Sequence, residues 1–317
     1  MSERERQILL IALGGNALIR KGQQGTVEEQ FANLRTPIRQ IARLSKTYRI
    51  IITHGNGPQV GNLLLKQECC DKEPRLPLEI LVAQTQGQIG YMIESALDTE
   101  LMNLGIHFKQ KLVSLISYVV VDEDDPAFRT PTKPIGPVYS EADALNAPYP
   151  VSKTAKGFRR VVVSPEPVTI VEKREIRKLI EMDFIVICCG GGGIPVIRDG
   201  RTFSGVDAVI DKDLASAKLA EEVGVDIFLI ATDEAGAFIN YGTPDQQLLR
   251  SVTPDAAKTY LENGQFPPGS MGPKIKAATR FIKGKARRAV ITSINDIEGA
   301  VAGEAGTELV RNSHTTA

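Results

Sequence analysis

The 317-residue sequence lacks several features that would point to particular classes of protein. It has no Trp and only 5% aromatic residues, which argues against the stacking platforms that bind single-stranded nucleic acid. Lys and Arg together number 38, and Asp and Glu also number 38, so the chain has no net charge that would attract nucleic acid or an anionic membrane. We therefore expect neither nucleic acid nor a membrane among its partners.

Long apolar segments are absent as well. The longest apolar runs, Ile8 to Leu13 and Phe184 to Cys189, have the length of a strand, whereas a helix needs about 20 apolar residues to span a bilayer. Residues 1–6 also lack the apolar stretch of a secretory signal peptide. We therefore expect a cytoplasmic protein.

Cysteine and histidine are scarce. The cysteines form two adjacent pairs, Cys69 with Cys70 and Cys188 with Cys189, and neither pair has CxxC spacing. Free thiols in a reducing compartment are therefore favoured over a disulfide or a metal site. The histidines are His54, His107 and His314. They are too far apart in the sequence to indicate a metal cluster.

The sequence instead contains a regular alternation of short apolar runs and segments with helical periodicity. The apolar runs are 8–13, 49–53, 112–121, 160–163, 184–189, 226–231 and 289–292. Strands that are apolar throughout and separated by helices predict a parallel sheet covered on both faces, which is a doubly wound α/β architecture. Ligands bind such sheets beyond the carboxyl ends of the strands.

Two of the predicted helices have clear boundaries. Thr26 and Glu29 can form a capping box, which predicts a helix that begins there and runs to about Ser45. A second helical pattern runs from about residue 78 to residue 104 and stops at Gly105.

The stretch from Asp122 to Pro150 interrupts the alternation. It is rich in proline and acidic residues, and it has no sustained helical or strand period. A loop of this length is uncommon in a compact domain unless it is functional or disordered. Its tyrosines, with Phe128 and Val138, favour an ordered excursion. We therefore expect a protruding subdomain or lid at 122–150.

Three glycine clusters follow three of the apolar runs. They lie at Gly14 and Gly15, at 55–61 and at 190–193. Glycine lets backbone amides approach a phosphate without a Cβ in the way, and successive amides bind an anion. One cluster alone could equally be a tight strand-to-helix turn. Three clusters at the strand ends of one sheet favour an anion site.

The common nucleotide-binding signatures are missing. No GxxxxGK[ST] motif occurs, which excludes an ordinary P-loop enzyme. Gly55, Gly57 and Gly61 form a loose GxGxxxG motif, but the acidic residue expected about 20 positions later would be Glu79, which falls in a helical segment. A nicotinamide-dependent oxidoreductase is therefore a weak alternative.

Two lysines lie at predicted helix starts. Lys212 stands between Asp211 and Asp213, either of which could simply cap the helix. Lys274 follows a glycine-rich turn, with Pro273 at the predicted first helical position, and it could be a solvated surface lysine. Phosphoryl transfer requires positive charge on the transferring oxygens and in-line alignment. Two such lysines, an aspartate and the glycine loops supply these needs, so the residues indicate a kinase.

Six segments together resemble the amino acid kinase superfamily and, within it, the carbamate kinase family. They are ALGGNA at 12–17, HGNGPQVG at 54–61, PTKPIGP at 131–137, GGGGIPV at 190–196, GVDAVIDKDLA at 205–215 and GSMGPK at 269–274. The segments occur in the family's order and extend over nearly the whole chain. The first and fourth mark only the superfamily, whereas the others are more specific to carbamate kinases.

The resemblance implies an open αβα sandwich with a mainly parallel sheet, usually as a homodimer. It implies reversible conversion of ATP and carbamate to ADP and carbamoyl phosphate with Mg²⁺, generally in the ATP-forming direction where arginine is fermented. Within one domain spanning residues 1–317, the half at about 1–180 would bind the acceptor and the half at about 181–317 would bind the nucleotide. The metal ligands stay open, because Mg²⁺ can be held mostly by phosphates and water.

The resemblance also implies roles for particular residues. The catalytic residues would be Lys212, Asp213, Lys274 and Lys133. The carbamate and γ-phosphate end would be lined by Gly14, Gly15, Asn16, Gly55, Asn56 and Gly57. The nucleotide would contact Gly191, Gly192, Thr232, Asp233, Tyr241, Met271, Gly272 and Lys274. In the catalytic group, the two helix-start lysines would stabilise the transferring phosphoryl group, Asp213 would organise both, and Lys133 would reach over the acceptor phosphate.

One segment departs from the family pattern. The family's strand on the nucleotide side usually ends Thr-x-Val-Asp, whereas this chain has TDEAGAFINYG at 232–242. Glu234 adds a negative charge near the implied adenine and ribose pocket. Nucleotide preference is therefore not implied by the resemblance.

Two other functions stay open for this fold. A kinase with a different carboxylate or phosphonate acceptor would share the glycine loops but is not expected to carry the PTKPIGP segment. A non-catalytic nucleotide sensor is expected to have lost a catalytic lysine or the aspartate, yet Lys212, Asp213 and Lys274 are all present.

Overall fold

The computed structural model describes residues 6–69, 72–154, 157–267, 269–283 and 288–311. Cys70 and His314, which entered the predictions on thiols and metal ligands, lie outside the described residues. Cys69, Cys188 and Cys189 are free thiols, as expected. None of the described helices has the length and apolar character needed to cross a membrane.

Strands and helices alternate along most of the chain. The strands are β1 (Ile8–Leu13), β2 (Arg49–His54), β3 (Lys111–Ser114), β4 (Tyr118–Val120), β5 (Lys133–Tyr139), β6 (Val151–Thr154), β7 (Gly157–Val162), β8 (Thr169–Ile170), β9 (Phe184–Ile187), β10 (Ile194–Asp199), β11 (Thr202–Gly205), β12 (Ile227–Thr232), β13 (Phe238–Ile239), β14 (Gln247–Leu248), β15 (Ser251–Val252), β16 (Arg288–Ser293) and β17 (Thr307–Leu309). The helices are α1 (Val27–Leu44), α2 (Gly57–Glu68), α3 (Leu78–Asn103), α4 (Glu141–Leu145), α5 (Lys173–Glu181), α6 (Lys212–Val223), α7 (Pro254–Glu262), α8 (Met271–Phe281) and α9 (Ile297–Ala302).

The main sheet has, within the described ranges, eight strands in the order β15-β17-β16-β12-β1-β2-β9-β3. Its neighbouring strands are parallel except for β16 and β17. The predicted α/β fold with a mainly parallel sheet is thereby confirmed. Because β12, β1, β2 and β9 run in the same direction, the loops after them emerge at one edge of the sheet, where ligands of such sheets bind.

The packing of β1 explains why its sequence is apolar throughout. Leu10 and Ala12 belong to a buried cluster on one face of the sheet, whereas Leu9, Ile11 and Leu13 belong to a cluster on the other face. Successive side chains of a strand point to opposite faces. Since helices cover both faces, the strand is buried from Leu9 to Leu13, and only Ile8 at its start is partly exposed.

The predicted helix boundaries agree with the structure. Glu29 N donates to Thr26 Oγ1 at 3.3 Å and Thr26 N donates to Glu29 Oε2 at 3.0 Å, so the capping box at the start of α1 is complete. At the other predicted boundary α3 ends at Asn103, and Gly105 has a φ of 66°.

The run at 112–121, predicted as one strand, is divided between two sheets. β3 pairs with β9 in the main sheet, whereas β4 lies in a second sheet with the order β11-β10-β4-β8. The break occurs at Ser117, whose N donates to Gln86 Oε1 at 2.9 Å and whose O accepts from Gln86 Nε2 at 3.2 Å. Because a buried glutamine of α3 binds both backbone groups of Ser117, the chain turns there from one sheet to the other.

The excursion predicted at 122–150 is larger than its predicted bounds. Among the described residues, β5, β7 and β6 form a small antiparallel sheet in that order. This small sheet includes β7, so it extends beyond residue 150, and the run at 160–163 that was predicted for the main sheet lies here instead. Pro134 and Pro137 obscure the strand character of β5, but an edge strand tolerates proline.

The two predicted halves of the chain are not separate in space. β9 follows the predicted boundary near residue 180, yet it lies between β2 and β3 in the main sheet. A strand from the second half therefore completes the side of the sheet that the first half builds.

Candidate active site

Asp213 binds two lysines that come from the starts of two different helices. Lys274 Nζ, in the first turn of α8, donates to Asp213 Oδ2 at 3.0 Å, and Lys212 Nζ, at the start of α6, donates to Asp213 Oδ1. The side chains of Lys212, Asp213 and Lys274 are only 10%, 3% and 14% exposed. The structure thus brings together three predicted residues that come from two separate segments of the sequence.

The electrostatics of this trio follow from burial and pairing. Burial opposes ionisation of Asp213, but the ammonium groups of Lys212 and Lys274 outweigh burial and lower the pKa of Asp213. Burial lowers the pKa of Lys212 in spite of its carboxylate neighbours. For Lys274, the carboxylates of Asp213 and Asp211 outweigh burial and raise the pKa. Charge in such a buried place acts more strongly on an anion than it does in bulk water.

Asp211 determines how α6 begins. Its Oδ1 accepts from Asp213 N at 2.9 Å and from Leu214 N at 3.2 Å. The sequence left open which aspartate caps the helix, and the structure shows that Asp211 does so while Asp213 binds the lysines. Further along α6, Ser216 Oγ lies 2.7 Å from Thr53 Oγ1 of β2, which ties the helix to the main sheet.

A cleft of about 150 Å³ contains this cluster. Its lining includes the predicted residues Gly15, Gly55, Asn56, Gly57, Lys133, Gly191, Lys212, Asp213 and Lys274. Asp211 and Ser270 line the cleft too, although neither of them was predicted as a site residue. Glycine loops that follow β1, β2 and β9 therefore meet at one place, at the carboxyl edge of the main sheet.

Gly191 shows why one of these loops requires glycine. A Cβ at residue 191 would lie 2.1 Å from Asn56 Nδ2, and the residue has a φ of 67°, a conformation that residues with a Cβ rarely adopt. Asn56 Nδ2 in turn donates to Thr85 Oγ1 of α3 at 2.9 Å. The loops after β2 and β9 are therefore in direct contact and are held by α3.

Lys133 reaches the cleft from the small sheet. It is the first residue of β5, and its Nζ donates to Asp211 Oδ2. Its side chain is 32% exposed, more than those of the lysines bound to Asp213. The structure therefore brings the fourth predicted catalytic residue to the same cleft as the other three.

Several predicted residues do not line the cleft. They are Gly14, Asn16, Gly192, Thr232, Asp233, Tyr241, Met271 and Gly272. Gly14 N donates to Ala231 O at 2.9 Å, beside Thr232. Tyr241 is 55% exposed, and its OH donates to Glu234 Oε1 at 2.5 Å. The predicted nucleotide residues at 232–241 therefore lie outside the cleft, at the end of β12 and in the segment after it.

The start of α8 differs from the prediction by two residues. The helix begins at Met271, so Pro273 takes its third position and not its first. A helix leaves its first few backbone N–H groups without intrahelical partners, so proline costs no hydrogen bond there either.

His54 is a buried residue whose position the sequence did not indicate. Its Nδ1 lies 3.2 Å from Gly55 O, and burial lowers its pKa to about 4. A second cavity, of about 180 Å³, is lined by His54 together with Gln86, Ser114 and Cys188. A neutral histidine therefore forms part of the wall between this cavity and the glycine loop at 55–57.

Comparisons with known proteins agree with this geometry. Residues 7–293 match the model of the amino acid kinase family. The chain is 47% identical over 313 residues to the carbamate kinase of Thermococcus kodakarensis, an alignment that covers 96% of this chain and 99% of that protein. The chain belongs to the carbamate kinase family. It is also 44% identical over 310 residues to the carbamate kinase of Haemophilus influenzae, covering 96% of this chain and 97% of that one.

A solved structure from the family extends the agreement to three dimensions. Carbamate kinase from Giardia lamblia bound to AMP-PNP superposes with a TM-score of 0.87 at 36% identity, covering 97% of this chain and 99% of that chain. The predicted family and enzyme class, a carbamate kinase, are thereby confirmed.

Proposed function

We propose that the cleft transfers a phosphoryl group between ATP and carbamate, with Asp213 holding Lys212 and Lys274 against the transferring group. The observation that carries this proposal is the shared carboxylate: one buried aspartate binds both lysines, each from a helix start. A phosphoryl group in flight carries its charge on its equatorial oxygens. Two ammonium groups fixed before the reaction stabilise that charge without further reorganisation.

The glycine loops supply the acceptor end in this proposal. A carbamate oxygen attacks the γ-phosphorus of ATP in line, the bond to the β,γ-bridging oxygen breaks, and carbamoyl phosphate and ADP result. Gly15, Gly55 and Gly57 line the cleft, so their backbone can approach the acceptor and the transferring group closely. Lys133 neutralises the acceptor phosphate from the side of the small sheet.

The nucleotide occupies the side of the cleft next to α8 and the loop after β12. Met271 and Gly272 begin α8, in the same turn as Lys274, and Thr232 ends β12, with Asp233 directly after it. We place Gly192, Thr232, Asp233 and Tyr241 around the nucleoside. The Tyr241 hydroxyl is held by Glu234, so the residue that departs from the family pattern acts on nucleotide preference through this tyrosine.

Mg²⁺ enters with the nucleotide in this proposal. Within the described ranges, no three His, Cys, Asp or Glu side chains form a group that could hold a metal ion. The carboxylates of the cleft, Asp211 and Asp213, are already bound to lysines. Mg²⁺ commonly retains water and binds phosphate oxygens, so nucleotide phosphates and water are the ligands that fit here.

A homodimer in the cytoplasm completes the proposal. Ile80, Ile116, Tyr118 and Phe203 are large apolar side chains that are between 39% and 52% exposed. The ring centroids of Tyr118 and Phe203 are 6.4 Å apart, so these two side chains form one apolar patch. A second copy of the chain would bury it. The free thiols favour a reducing compartment, the cytoplasm. For the physiological direction of the reaction we propose ATP synthesis during arginine fermentation.

The test is ATP formation from ADP, Mg²⁺ and carbamoyl phosphate, measured by a coupled light assay in wild type, Lys212→Ala and Lys276→Ala. Lys276 is an exposed lysine of α8 and serves as the control. Rapid ATP formation by wild type and Lys276→Ala, with almost none from Lys212→Ala, is the expected result. Equal activity in Lys212→Ala would remove the proposed role of that lysine. A folded wild type that binds ADP but forms no ATP would favour another acceptor or a nucleotide sensor.

A further inference from the structure

Asp211 makes two different contacts with its two carboxylate oxygens. Oδ1 accepts from the backbone N–H groups of Asp213 and Leu214 and so caps α6. Oδ2 accepts from Lys133 Nζ. The residue is 8% exposed, so its carboxylate is largely shielded from water. One side chain thus connects the helix that carries Lys212 and Asp213 to the lysine of the small sheet.

The backbone beside this contact also joins the small sheet to the rest of the fold. Val209 N, two residues before Asp211, donates to Val163 O at 3.1 Å, immediately after β7. Thr132 N, immediately before Lys133, donates to Val162 O at 3.1 Å. The base of the small sheet is therefore fixed by backbone hydrogen bonds, and the position of the Lys133 ammonium group depends on its side-chain partner.

Lys133 needs an anionic partner because two other ammonium groups, those of Lys212 and Lys274, lie in the same cleft. Each oxygen of Asp213 already accepts from one ammonium group, Oδ1 from Lys212 and Oδ2 from Lys274. An ammonium group that approached this pair alone would be repelled. The ionised Asp211 offsets the repulsion for Lys133. Burial opposes ionisation of Asp211, but Lys133 and Lys274 outweigh burial and lower its pKa.

We propose that Asp211 is a positioning residue that holds Lys133 at the cleft and thereby couples the small sheet to the catalytic helix. This inference rests on the proposed role of Lys133 toward the acceptor phosphate. Asp211 acts through Lys133 and not on the reacting atoms. Its contribution should therefore disappear when the lysine is absent.

A double-mutant cycle tests the coupling. Asp211→Asn and Asp211→Ser each keep an oxygen that can cap the helix, but they remove the charge that binds Lys133. Each should lower kcat/KM for carbamoyl phosphate on the order of 10-fold in the wild-type background, and by less than about 2-fold in a Lys133→Met background, because the two residues act as one unit. The KM for ADP should change by less than about 2-fold throughout.

The control is Asp125→Asn, which replaces another capping aspartate whose oxygens accept from Ala127 N and Glu166 N, both at 2.8 Å. It should leave the kinetics unchanged. Equal losses from Asp211→Asn with and without Lys133 would overturn the inference, and so would wild-type kinetics in Lys133→Met. ATP formation by wild type tests the proposed function. The difference between the losses in the two backgrounds tests the role of Asp211.

Limited trypsin digestion gives a readout that does not depend on turnover. Loss of the contact should speed cleavage within residues 133–162 of Asp211→Asn relative to wild type and Asp125→Asn, at a temperature where all three remain folded by circular dichroism. Equal cleavage rates would show that Asp211 does not hold the small sheet to α6.

Discussion

The main sheet and the small sheet both contribute lysines to one cleft, but they hold them differently. Lys212 and Lys274 stand on helices packed against the buried main sheet, and their side chains are 10% and 14% exposed. Lys133 stands on an edge strand of the small sheet and is 32% exposed. Groups that must meet developing charge gain from a rigid, buried support. Lys133, which by our proposal binds the incoming acceptor, needs a less rigid support and lies on the small sheet.

The largest effect is expected where the main sheet holds its charges. Asp213→Asn leaves two buried lysines without their carboxylate, so kcat for ATP formation should fall by about 10³-fold. Steady-state kinetics of the folded variant check this, with Asp98→Asn, an exposed residue of α3, as the control. Loss of less than about 10-fold would mean that the lysines do not depend on Asp213.

A smaller effect is expected where the two regions are joined. A Cβ at residue 61 of α2 would lie 1.9 Å from Gly136 Cα of β5. Gly61→Ala should therefore push the small sheet off α2 and lower the free energy of unfolding by about 1–3 kcal/mol, measured by urea unfolding.

Gly87→Ala is the matched control for this joint. Gly87 is an exposed glycine of α3 with open space at its Cβ position. Alanine there should raise the stability by roughly 0.5–1 kcal/mol. Equal unfolding midpoints for the two variants would contradict the close contact between α2 and β5.

Removing the charge of Lys133 from the small sheet should weaken only the binding of the acceptor. Lys133→Met should raise KM for carbamoyl phosphate by about 10-fold, because one charged hydrogen bond to an anion is worth roughly 1.5–3 kcal/mol, while KM for ADP stays within about 2-fold. Lys153→Met, which replaces an exposed lysine of the same sheet, is the comparison. An increase in KM for ADP without one for carbamoyl phosphate would place Lys133 at the nucleotide and not at the acceptor.

The last prediction concerns whether water reaches the buried His54 at the edge of the main sheet. Burial lowers the pKa of His54 from 6.5 to about 4. Between these two pH values, His54 is protonated in the unfolded chain but neutral in the folded chain. The stability that this neutral histidine contributes is therefore present above pH 6.5 and is lost as the pH falls toward 4. The loss approaches about 1.4 kcal/mol per pH unit for one proton.

Urea unfolding of wild type and His54→Gln between pH 7 and pH 5 checks this expectation. Wild type should lose stability more steeply than the variant below about pH 6.5, the unperturbed pKa of histidine. Parallel curves would mean that His54 titrates normally and that water reaches this part of the loop.

Much of the architecture was predictable because its causes are local. The capping box of α1 joins two residues only three positions apart, and the apolar runs of β1, β2, β9, β12 and β16 each indicate burial on both faces. The four residues predicted as catalytic all line one cleft. Their roles in catalysis stay predictions until the variants are measured.

Other features depend on contacts that no local pattern contains. The run at 112–121 breaks because Gln86, 31 residues earlier, binds Ser117. The small sheet takes its strands from both sides of the predicted boundary at residue 150, and the prolines of β5 conceal that strand. His54 looked like one of three scattered histidines, and only its buried place beside Gly55 shows how its protonation is controlled.

The sequence by itself determined the alternation of strands and helices, the glycine loops at the strand ends and the identity of the charged residues. Each of these features depends only on residues that are close together in the sequence. Only the tertiary structure decided which carboxylate binds which lysine. Asp213 meets Lys274 across 61 positions and Asp211 meets Lys133 across 78. Contacts at that separation form only when the sheet brings its strand ends to one edge and the small sheet is anchored beside them.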